Sequence, residues 1–197
     1  MNAALSDSIL RKARESAATK EQFFSENAER IVACAGAMAK AFTDEARLYV
    51  FGNGGSASDA QHVAVEFMHP IIEKRPALPA IALGSEVPLV TAIANDRDFS
   101  MAYAQQLRML GRRGDMALAI STSGRSANVN RALQAARELG LMTIGFSGKD
   151  GGRMPALCDH SFVVSSFSIH RIQETQETLL HVLWDAIHVI RGEEDVT

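Results

Sequence analysis

Residues 47–66 read RLYVFGNGGSASDAQHVAVE, an apolar run that stops at Gly52 and gives way to a pattern of helical period. Glycines let backbone amides come close to a ligand, and Ser56 or Ser58 can cap the helix that begins there. The first turn of a helix leaves N–H groups unpaired and carries partial positive charge. This stretch therefore predicts a strand followed by a helix, with a site that attracts an anion between them.

One face of that predicted helix carries an imidazole and a carboxylate. His62 and Glu66 are four residues apart, which places them about 40° apart around the helix axis. An anion site two turns away from such a pair suits acid-base chemistry on a small phosphorylated substrate. A solvated surface pair is the alternative, and the pair alone does not decide between the two.

The composition limits the classes of protein to which the chain can belong. At 197 residues, with 47% hydrophobic and 22% charged residues, it is long and apolar enough for an ordinary globular domain. A net charge of −3 and a pI near 6.1 provide no basic surface for nucleic acid. Cys34 and Cys158 form neither a disulfide framework nor a metal-ligand spacing, which fits a reducing compartment. No signal-peptide pattern and no apolar run of about 20 residues is present, so we expect a cytoplasmic protein outside the membrane.

Short apolar runs alternate with helical patterns along most of the chain. The candidate strands are 46–51, 78–83, 115–120, 141–146 and 161–165, and the helical patterns are 57–70, 100–110, 126–139, 152–157 and 170–191. This alternation predicts an α/β fold with a five-stranded parallel sheet covered on both faces. Ligands in such sheets bind at the carboxyl ends of the strands, near the topological switch point.

The N-terminal residues have a different pattern. Residues 3–43 are helix-like throughout, and we predict an N-terminal helical hairpin with a break near Thr19 and Lys20. With no repeats and no low-complexity linker, residues 1–197 are expected to form one domain. Within it, the helices of 1–43 would pack against another subunit, and 44–197 would form the α/β core with its long C-terminal helix.

A second polar loop follows the third predicted strand. Residues 121–126 read STSGRS and precede a helix, so hydroxyls and free amides again meet at a helix N-terminus. Neither loop has the Gly-Lys-Ser/Thr ending of a nucleotide P-loop or the GxGxxG fingerprint, which disfavours triphosphates and dinucleotides. An ordinary turn with capping serines explains one such loop equally well. Two of them at the ends of buried strands favour phosphate binding.

The last predicted helix carries a polar stripe on an otherwise apolar surface. Gln173, Glu177 and His181 follow one another at i, i+4 and i+8. Together with His62 and Glu66 they provide the donor types that suit zinc with an open coordination position. Gln173 and His181 lie about 12 Å apart along the axis, so one metal needs to sit between them or to join two subunits. A buried polar network without metal is the alternative.

Several motifs together resemble the sugar isomerase (SIS) domain family, and within it the phosphoheptose isomerases. The segments that carry the resemblance are GNGGSASDAQH with Glu66, RPALPAIAL, TAIANDR, GDMALAISTSGRSANV, GKDGG, and RIQE followed by His181. The resemblance implies a flavodoxin-like three-layer sandwich. It also implies a homotetramer with active sites at the subunit interfaces, which would resolve the spacing problem of the last helix.

The resemblance also implies a role for each matching residue. The substrate would be lined by Asn53, Gly54, Gly55, Ser56, Glu66, Asn95, Asp96 and Gln173, and its phosphate would be held by Ser121, Thr122, Ser123 and Ser126. One zinc ion per subunit would be bound by His62, Glu66, Gln173 and His181. Glu66 would be the catalytic base and His181 would assist ring opening. From the sequence pattern alone, Asn95 and Asp96 could equally form the turn that ends a helix.

The implied reaction is the conversion of D-sedoheptulose 7-phosphate to D-glycero-D-manno-heptose 7-phosphate through a cis-enediol. The alternative is a non-catalytic SIS regulator that binds the bacterial replication initiator protein. Such a scaffold can lose its metal and base positions, whereas all four are present here, which favours the enzyme. A sugar-phosphate sensor is less favoured, because the sensors of this family are fused to DNA-binding domains.

Overall fold

The computed structural model describes residues 2–70 and 75–195. Its strands are β1 (Leu48–Gly52), β2 (Ala80–Ala82), β3 (Met116–Ser121), β4 (Met142–Gly148) and β5 (His160–Val164). Its α-helices are α1 (Asn2–Thr43), α2 (Gly55–Met68), α3 (Val87–Asp96), α4 (Ala102–Leu110), α5 (Ala127–Leu139) and α6 (Ile169–Ile190). None of the helices within these two ranges combines the length and the hydropathy that crossing a bilayer requires.

The five strands form one sheet in the order β2-β1-β3-β4-β5, and every neighbouring pair is parallel. Alternate residues of β1 point to opposite faces: Leu48 and Val50 pack with α1, α2 and α6, whereas Tyr49 and Phe51 pack with α4 and α5. β1 and β3 are buried along their whole length, because helices cover both faces. The predicted α/β fold with a five-stranded parallel sheet is confirmed, and the strand order is the flavodoxin-like one.

The boundaries of the five strands agree with the predicted ones to within two residues. The helix predicted at 152–157 is wrong, since only a 3-10 turn at Pro155–Leu157 forms there. Pro155 has no N–H to continue an α-helix, and Gly151 before it has a positive φ of 80°. The sequence patterns gave no bounds for α3, which begins next to Pro88 and buries only Ile93, although a helix ending at Asn95 and Asp96 was one of the two interpretations of that segment.

The predicted N-terminal hairpin is wrong as well, because α1 is one continuous helix of 42 residues. No proline or glycine occurs before Gly36, and Thr19 Oγ1 donates back to the Glu15 carbonyl instead of breaking the helix. The second half packs on the sheet and on α6, with Phe23 among its buried residues. Between residues 4 and 22 no side chain is buried.

Candidate active site

The two loops predicted to bind anions lie side by side at the carboxyl edge of the sheet. Gly52 at the end of β1 is in register with Ile120 near the end of β3. α2 leaves β1 toward one face of the sheet, and α5 leaves β3 toward the other. This is the topological switch point, the place where parallel α/β sheets bind ligands.

The first loop differs from the prediction in how its helix begins. Gly54, and neither Ser56 nor Ser58, occupies the N-cap of α2, and no side chain caps the helix there. The helix begins two residues before the predicted start at residue 57, because Gly54 adopts a positive φ of 58° and turns the chain there. The amides at the start of α2 are therefore not occupied by a side-chain cap. Ser56 is buried in the first turn.

Gln173 of α6 lies directly over this first turn. A Cβ built on Gly55 would collide with Gln173 Nε2, so an alanine at this position would require the Gln173 side chain to move. The side chain of Gln173 therefore contacts the first predicted loop, which is where its predicted substrate-binding role would require it to be. Its predicted role as a metal ligand stays a prediction.

The second loop places several hydroxyls at the start of α5. Ser121 Oγ and Ser126 Oγ lie 3.2 Å apart, and Ser123 Oγ accepts a hydrogen bond of 3.2 Å from the Arg125 amide. Ser126 is the N-cap of α5, but its side chain makes no capping bond. Thr122 lies between the serines and is half-buried. We call residues 121–126 the phosphate cradle after their predicted role, since hydroxyls and uncapped amides converge there.

The phosphate cradle is held in place by the loop that follows β4. Gly124 has a positive φ of 60°, and a Cβ on it would strike the Gly151 carbonyl. The Arg153 amide donates to the Gly124 carbonyl at 3.0 Å. Arg125 and Asp150 form an exposed ion pair of 2.5 Å between the same two loops. The conformation of the cradle therefore depends on backbone contacts that a larger residue at 124 would prevent.

A pair of carboxamides joins the two loops. Asn53 Nδ2 donates to Asn128 Oδ1 at 2.8 Å, and Asn128 Nδ2 donates to Asn53 Oδ1 at 2.7 Å. The Tyr103 hydroxyl donates to the Gly52 carbonyl and lies 3.4 Å from Asn53 Oδ1. The sequence reasoning missed Asn128 and Tyr103. The available signal was an asparagine near the start of a helix, where it is a poor helix former unless it bonds locally.

The predicted histidine and glutamate residues converge between α2 and α6. His62 Nε2 lies 3.3 Å from Glu66 Oε1 and 3.4 Å from His181 Nε2. The ligand atoms of these three residues all lie within 4.8 Å of one another. Glu177 Oε1, which the sequence pattern placed on the same stripe, lies 3.6 Å from His62 Nδ1. A single chain therefore brings three of the four predicted ligands together.

These three side chains fit a divalent metal. Zinc holds histidine nitrogens at about 2.0–2.1 Å, so two such ligands of a tetrahedral ion lie about 3.4 Å apart. The distance between the two Nε2 atoms is 3.4 Å. Imidazole and carboxylate are also donor types that zinc prefers. The donor set is thus suitable, and the identity of the ion stays a prediction.

A cavity of about 620 Å³ opens beside the cluster and the first loop. Its lining includes Lys12, Asp59, His170, Gln173 and Glu177. Asp59 on α2 is a third residue that the sequence reasoning missed, after Asn128 and Tyr103. Burial, and then the negative charge of Glu177, raise the pKa of Asp59 to about 6, although nearby His62 acts in the opposite direction.

Asn95 and Asp96 lie apart from these groups in the chain, at the C-terminal end of α3. Both are exposed, and Asn95 Nδ2 donates to Asp96 Oδ1 at 2.8 Å. Asn95 and Asp96 are the last two residues of α3, which agrees with the interpretation that they end a helix. Their predicted contact with the sugar stays a prediction.

The sequence profile of the SIS domain family matches residues 13–148. The chain is 43% identical, over 94% of its length and 92% of the relative's, to a phosphoheptose isomerase of Thermodesulfovibrio yellowstonii. It is 45% identical to the phosphoheptose isomerase of Desulfovibrio desulfuricans, over 93% and 87% of the two chains.

A solved structure of similar fold is the phosphoheptose isomerase of Neisseria gonorrhoeae. It has a TM-score of 0.86 and 35% identity, and the match covers 93% of this chain and 98% of that one. The likeness thus extends over nearly the whole chain.

Proposed function

The chain belongs to the SIS domain family, and we propose that it is a phosphoheptose isomerase that converts D-sedoheptulose 7-phosphate to D-glycero-D-manno-heptose 7-phosphate. One observation carries the proposal: α2 begins in one of the two adjoining loops predicted to bind anions, and it bears His62 and Glu66 about two and three turns further on. A sugar phosphate could place its phosphate group at the loops and the reacting carbons at its other end near His62 and Glu66. The enzyme would be an intramolecular oxidoreductase.

The phosphate cradle would hold the 7-phosphate of the sugar. Ser121, Thr122, Ser123 and Ser126 supply hydroxyl donors, and the uncapped start of α5 supplies backbone amides and a favourable dipole. The backbone of Asn53 and Gly54 would line the sugar from the first loop. The open end of the sugar would then extend toward α2 and α6.

Glu66 would carry the proton between the two reacting carbons. Its carboxylate removes the proton from C1 while the C2 carbonyl oxygen gains one, which gives the cis-enediol. Return of the proton to C2, with loss of the proton on the C1 oxygen, gives the aldose. The side chain of Glu66 is only 14% exposed, so bulk water does not compete freely for this proton. His181 would donate or accept a proton at the ring oxygen during ring opening.

His62, Glu66, Gln173 and His181 would hold one zinc ion per subunit. When bound, the ion would supply a Lewis acid that polarises the sugar carbonyl. A carboxylate has two oxygens, so Glu66 can ligate through one and accept a proton on the other. The imidazole nitrogens at 3.4 Å support this part of the proposal.

The protein would be a cytoplasmic homotetramer of single-domain subunits with active sites at the interfaces. Leu5, Ile9 and Leu10 on α1 are 62%, 58% and 52% exposed, an apolar surface that another subunit would cover. His181 is exposed at the edge of the cluster, where a neighbouring chain would shield it from water. The regulator alternative is not favoured, because the relatives named above are phosphoheptose isomerases.

An assay of the zinc-loaded protein on sedoheptulose 7-phosphate tests the proposal. We expect an aldose phosphate as product, and we expect Glu66→Gln to abolish its formation while the protein stays folded. Glu138→Gln, on the exposed surface of α5, is the matched control and should keep full activity. A wild-type protein that is inert on this and other ketose phosphates, yet binds a replication initiator, would show the isomerase assignment to be wrong.

A further inference from the structure

The reciprocal bonds between Asn53 and Asn128 connect the two halves of the site across the switch point. Asn53 follows β1 in the first loop, and Asn128 is the second residue of α5, just after the phosphate cradle. Each carboxamide donates to the other, at 2.8 and 2.7 Å. Asn128 is 3% exposed, so water does not replace either bond. The Val129 amide also donates to Asn128 Oδ1 at 3.0 Å, which fixes the orientation of the carboxamide.

The carboxamide of Asn53 is largely occupied by these contacts. A carboxamide oxygen has two lone pairs and its nitrogen two protons. Asn53 Oδ1 faces both Asn128 Nδ2 and the Tyr103 hydroxyl, and one proton of Nδ2 is bonded to Asn128. At most one N–H of the side chain therefore remains for a ligand. The side chain of Asn53 therefore mainly holds the first loop in place.

We propose that Asn128 is a positioning residue of the isomerase, which holds the first loop at a fixed distance from the phosphate cradle through the carboxamide of Asn53. The inference rests on the proposed function. Phosphate bound in the cradle fixes one end of the sugar, while the first loop and α2 fix the end that carries C1 and C2. Small errors in the distance between two such anchors lower the reaction rate steeply, even when the substrate still binds.

Tyr103 of α4 also holds the first loop in position, next to the bonds between Asn53 and Asn128. It is buried, and its hydroxyl donates to the Gly52 carbonyl directly before the first loop. Replacing this tyrosine by phenylalanine removes the hydroxyl and keeps the ring that packs against Phe51, with centroids 5.5 Å apart. Tyr103→Phe is therefore a gentle change at the same connection.

The test compares steady-state kinetics of wild type, Asn128→Leu and Asn128→Ala, with inorganic phosphate as a competitive inhibitor. Asn128→Leu removes both hydrogen bonds to Asn53 at nearly constant size and without adding a charge beside the cradle, and Asn128→Ala removes most of the side chain. We expect kcat to fall about 10- to 100-fold, with KM and the inhibition constant of phosphate changed less than about threefold. Gln134→Ala on the exposed side of α5 controls for general damage to that helix.

Asn130→Ala provides the contrast within the same helix. Asn130 Nδ2 donates to the Gly124 carbonyl at 3.1 Å, so its loss should weaken phosphate inhibition as well. Equal loss of kcat and of phosphate affinity in the Asn128 variants would show that Asn128 only builds the cradle, and the inference would then be wrong. Unchanged kcat in folded Asn128 variants of an active enzyme would contradict it too.

Tyr103→Phe decides the matter if the Asn128 variants fail to fold. We expect it to lower kcat about 3- to 10-fold without a change in phosphate inhibition. Unchanged kcat in this variant would then count against the inference. An inert wild type would overturn the proposed function itself, which separates that failure from this one.

Discussion

His181 Nε2 lies 3.4 Å from His62 Nε2, although 119 residues separate the two along the chain. The contact forms because α2 and α6 run side by side in the same direction. Gln173 meets Gly55 at the start of α2, and His181 meets His62 about two turns further on. The metal donors and the first loop are thus aligned by one helix pair.

The double variant His62→Ala/His181→Ala should lose the bound metal. Two of the three clustered donors disappear, and a lone carboxylate holds a divalent ion weakly in water. Elemental analysis of purified protein should find about one zinc per wild-type chain and far less in the variant. His69→Ala, an exposed histidine at the end of α2, should keep the wild-type content. Equal metal in wild type and the double variant would contradict the ligand assignment.

Two glycine-to-alanine substitutions should have effects of opposite sign. Gly124→Ala puts a Cβ into the Gly151 carbonyl at a positive φ of 60°, and we expect a loss of about 1–3 kcal/mol in the free energy of unfolding with weaker phosphate binding. Gly36→Ala lies within α1 with no atom near its new Cβ, and it should stabilise the protein by about 0.5–1 kcal/mol. Urea unfolding measures both. A neutral Gly124→Ala would mean that the cradle tolerates another backbone conformation.

Arg75→Met should destabilise the protein strongly. The guanidinium is nearly fully buried, lies 2.7 Å from Asp185 and stacks on Trp184 with 4.7 Å to the ring centroid. Removing the cation leaves the Asp185 carboxylate without its partner, at a cost of about 3–5 kcal/mol for a buried pair and less here because Asp185 is 29% exposed. The pair variant Arg75→Met/Asp185→Leu should recover part of the loss. Urea unfolding measures the stability of both variants. A pair variant no more stable than Arg75→Met would contradict the prediction.

Both cysteines should be unreactive in the folded protein at pH 8. Burial raises the pKa of Cys34 to about 12 and, together with the nearby Asp159 carboxylate, raises that of Cys158 to about 12. The thiolate is the reactive form, so little of it exists at this pH. A colorimetric thiol reagent should detect two thiols only after denaturation. Rapid reaction of the native protein would contradict the burial of these side chains.

The stability of the protein should fall at mildly acidic pH through His188. Burial lowers the pKa of His188 below its ordinary 6.5, against the opposing effect of Glu193. As the pH falls, the unfolded chain therefore takes up a proton on His188 before the folded chain does. The neutral His188 thus contributes fully to the free energy of unfolding above pH 6.5, and this contribution is lost below that pH. Urea unfolding at pH 7.5 and 5.5 should show a smaller decrease for His188→Gln than for wild type. Equal slopes would rule out His188 as the source.

The sheet was predictable from the sequence because both faces are covered, which makes the strands nearly continuous apolar runs. β3 and β4 were located to within two residues for this reason. The bounds of α3 were not predicted, since residues 87–94 are a nearly continuous apolar run in which no stripe of helical period stands out. The break predicted near Thr19 had no physical cause, because threonine bonds back into a helix as readily as it ends one.

The parts of the candidate site that lie within one helix or one loop were predictable from the sequence. The His62 and Glu66 pair and the two loops follow from spacing along one element. The alignment of His181 with His62, and the bonds of Asn128 to Asn53, arise from tertiary packing over 119 and 75 residues. No pattern within one helix contains that information.

The unbroken α1 has a consequence for the thermodynamics of the protein. At 42 residues it is about 63 Å long, roughly one and a half times the width of a domain of this size. Lys12 and Ser16 still contact α6, so the arm of the helix is the part before Lys12, which carries the exposed Leu5 and Ile9. Under the proposed assembly, only neighbouring copies cover that arm, and folding and association then become a single equilibrium. By mass action, the melting temperature should climb as the protein is concentrated, whereas a self-sufficient monomer would melt at one temperature at every dilution.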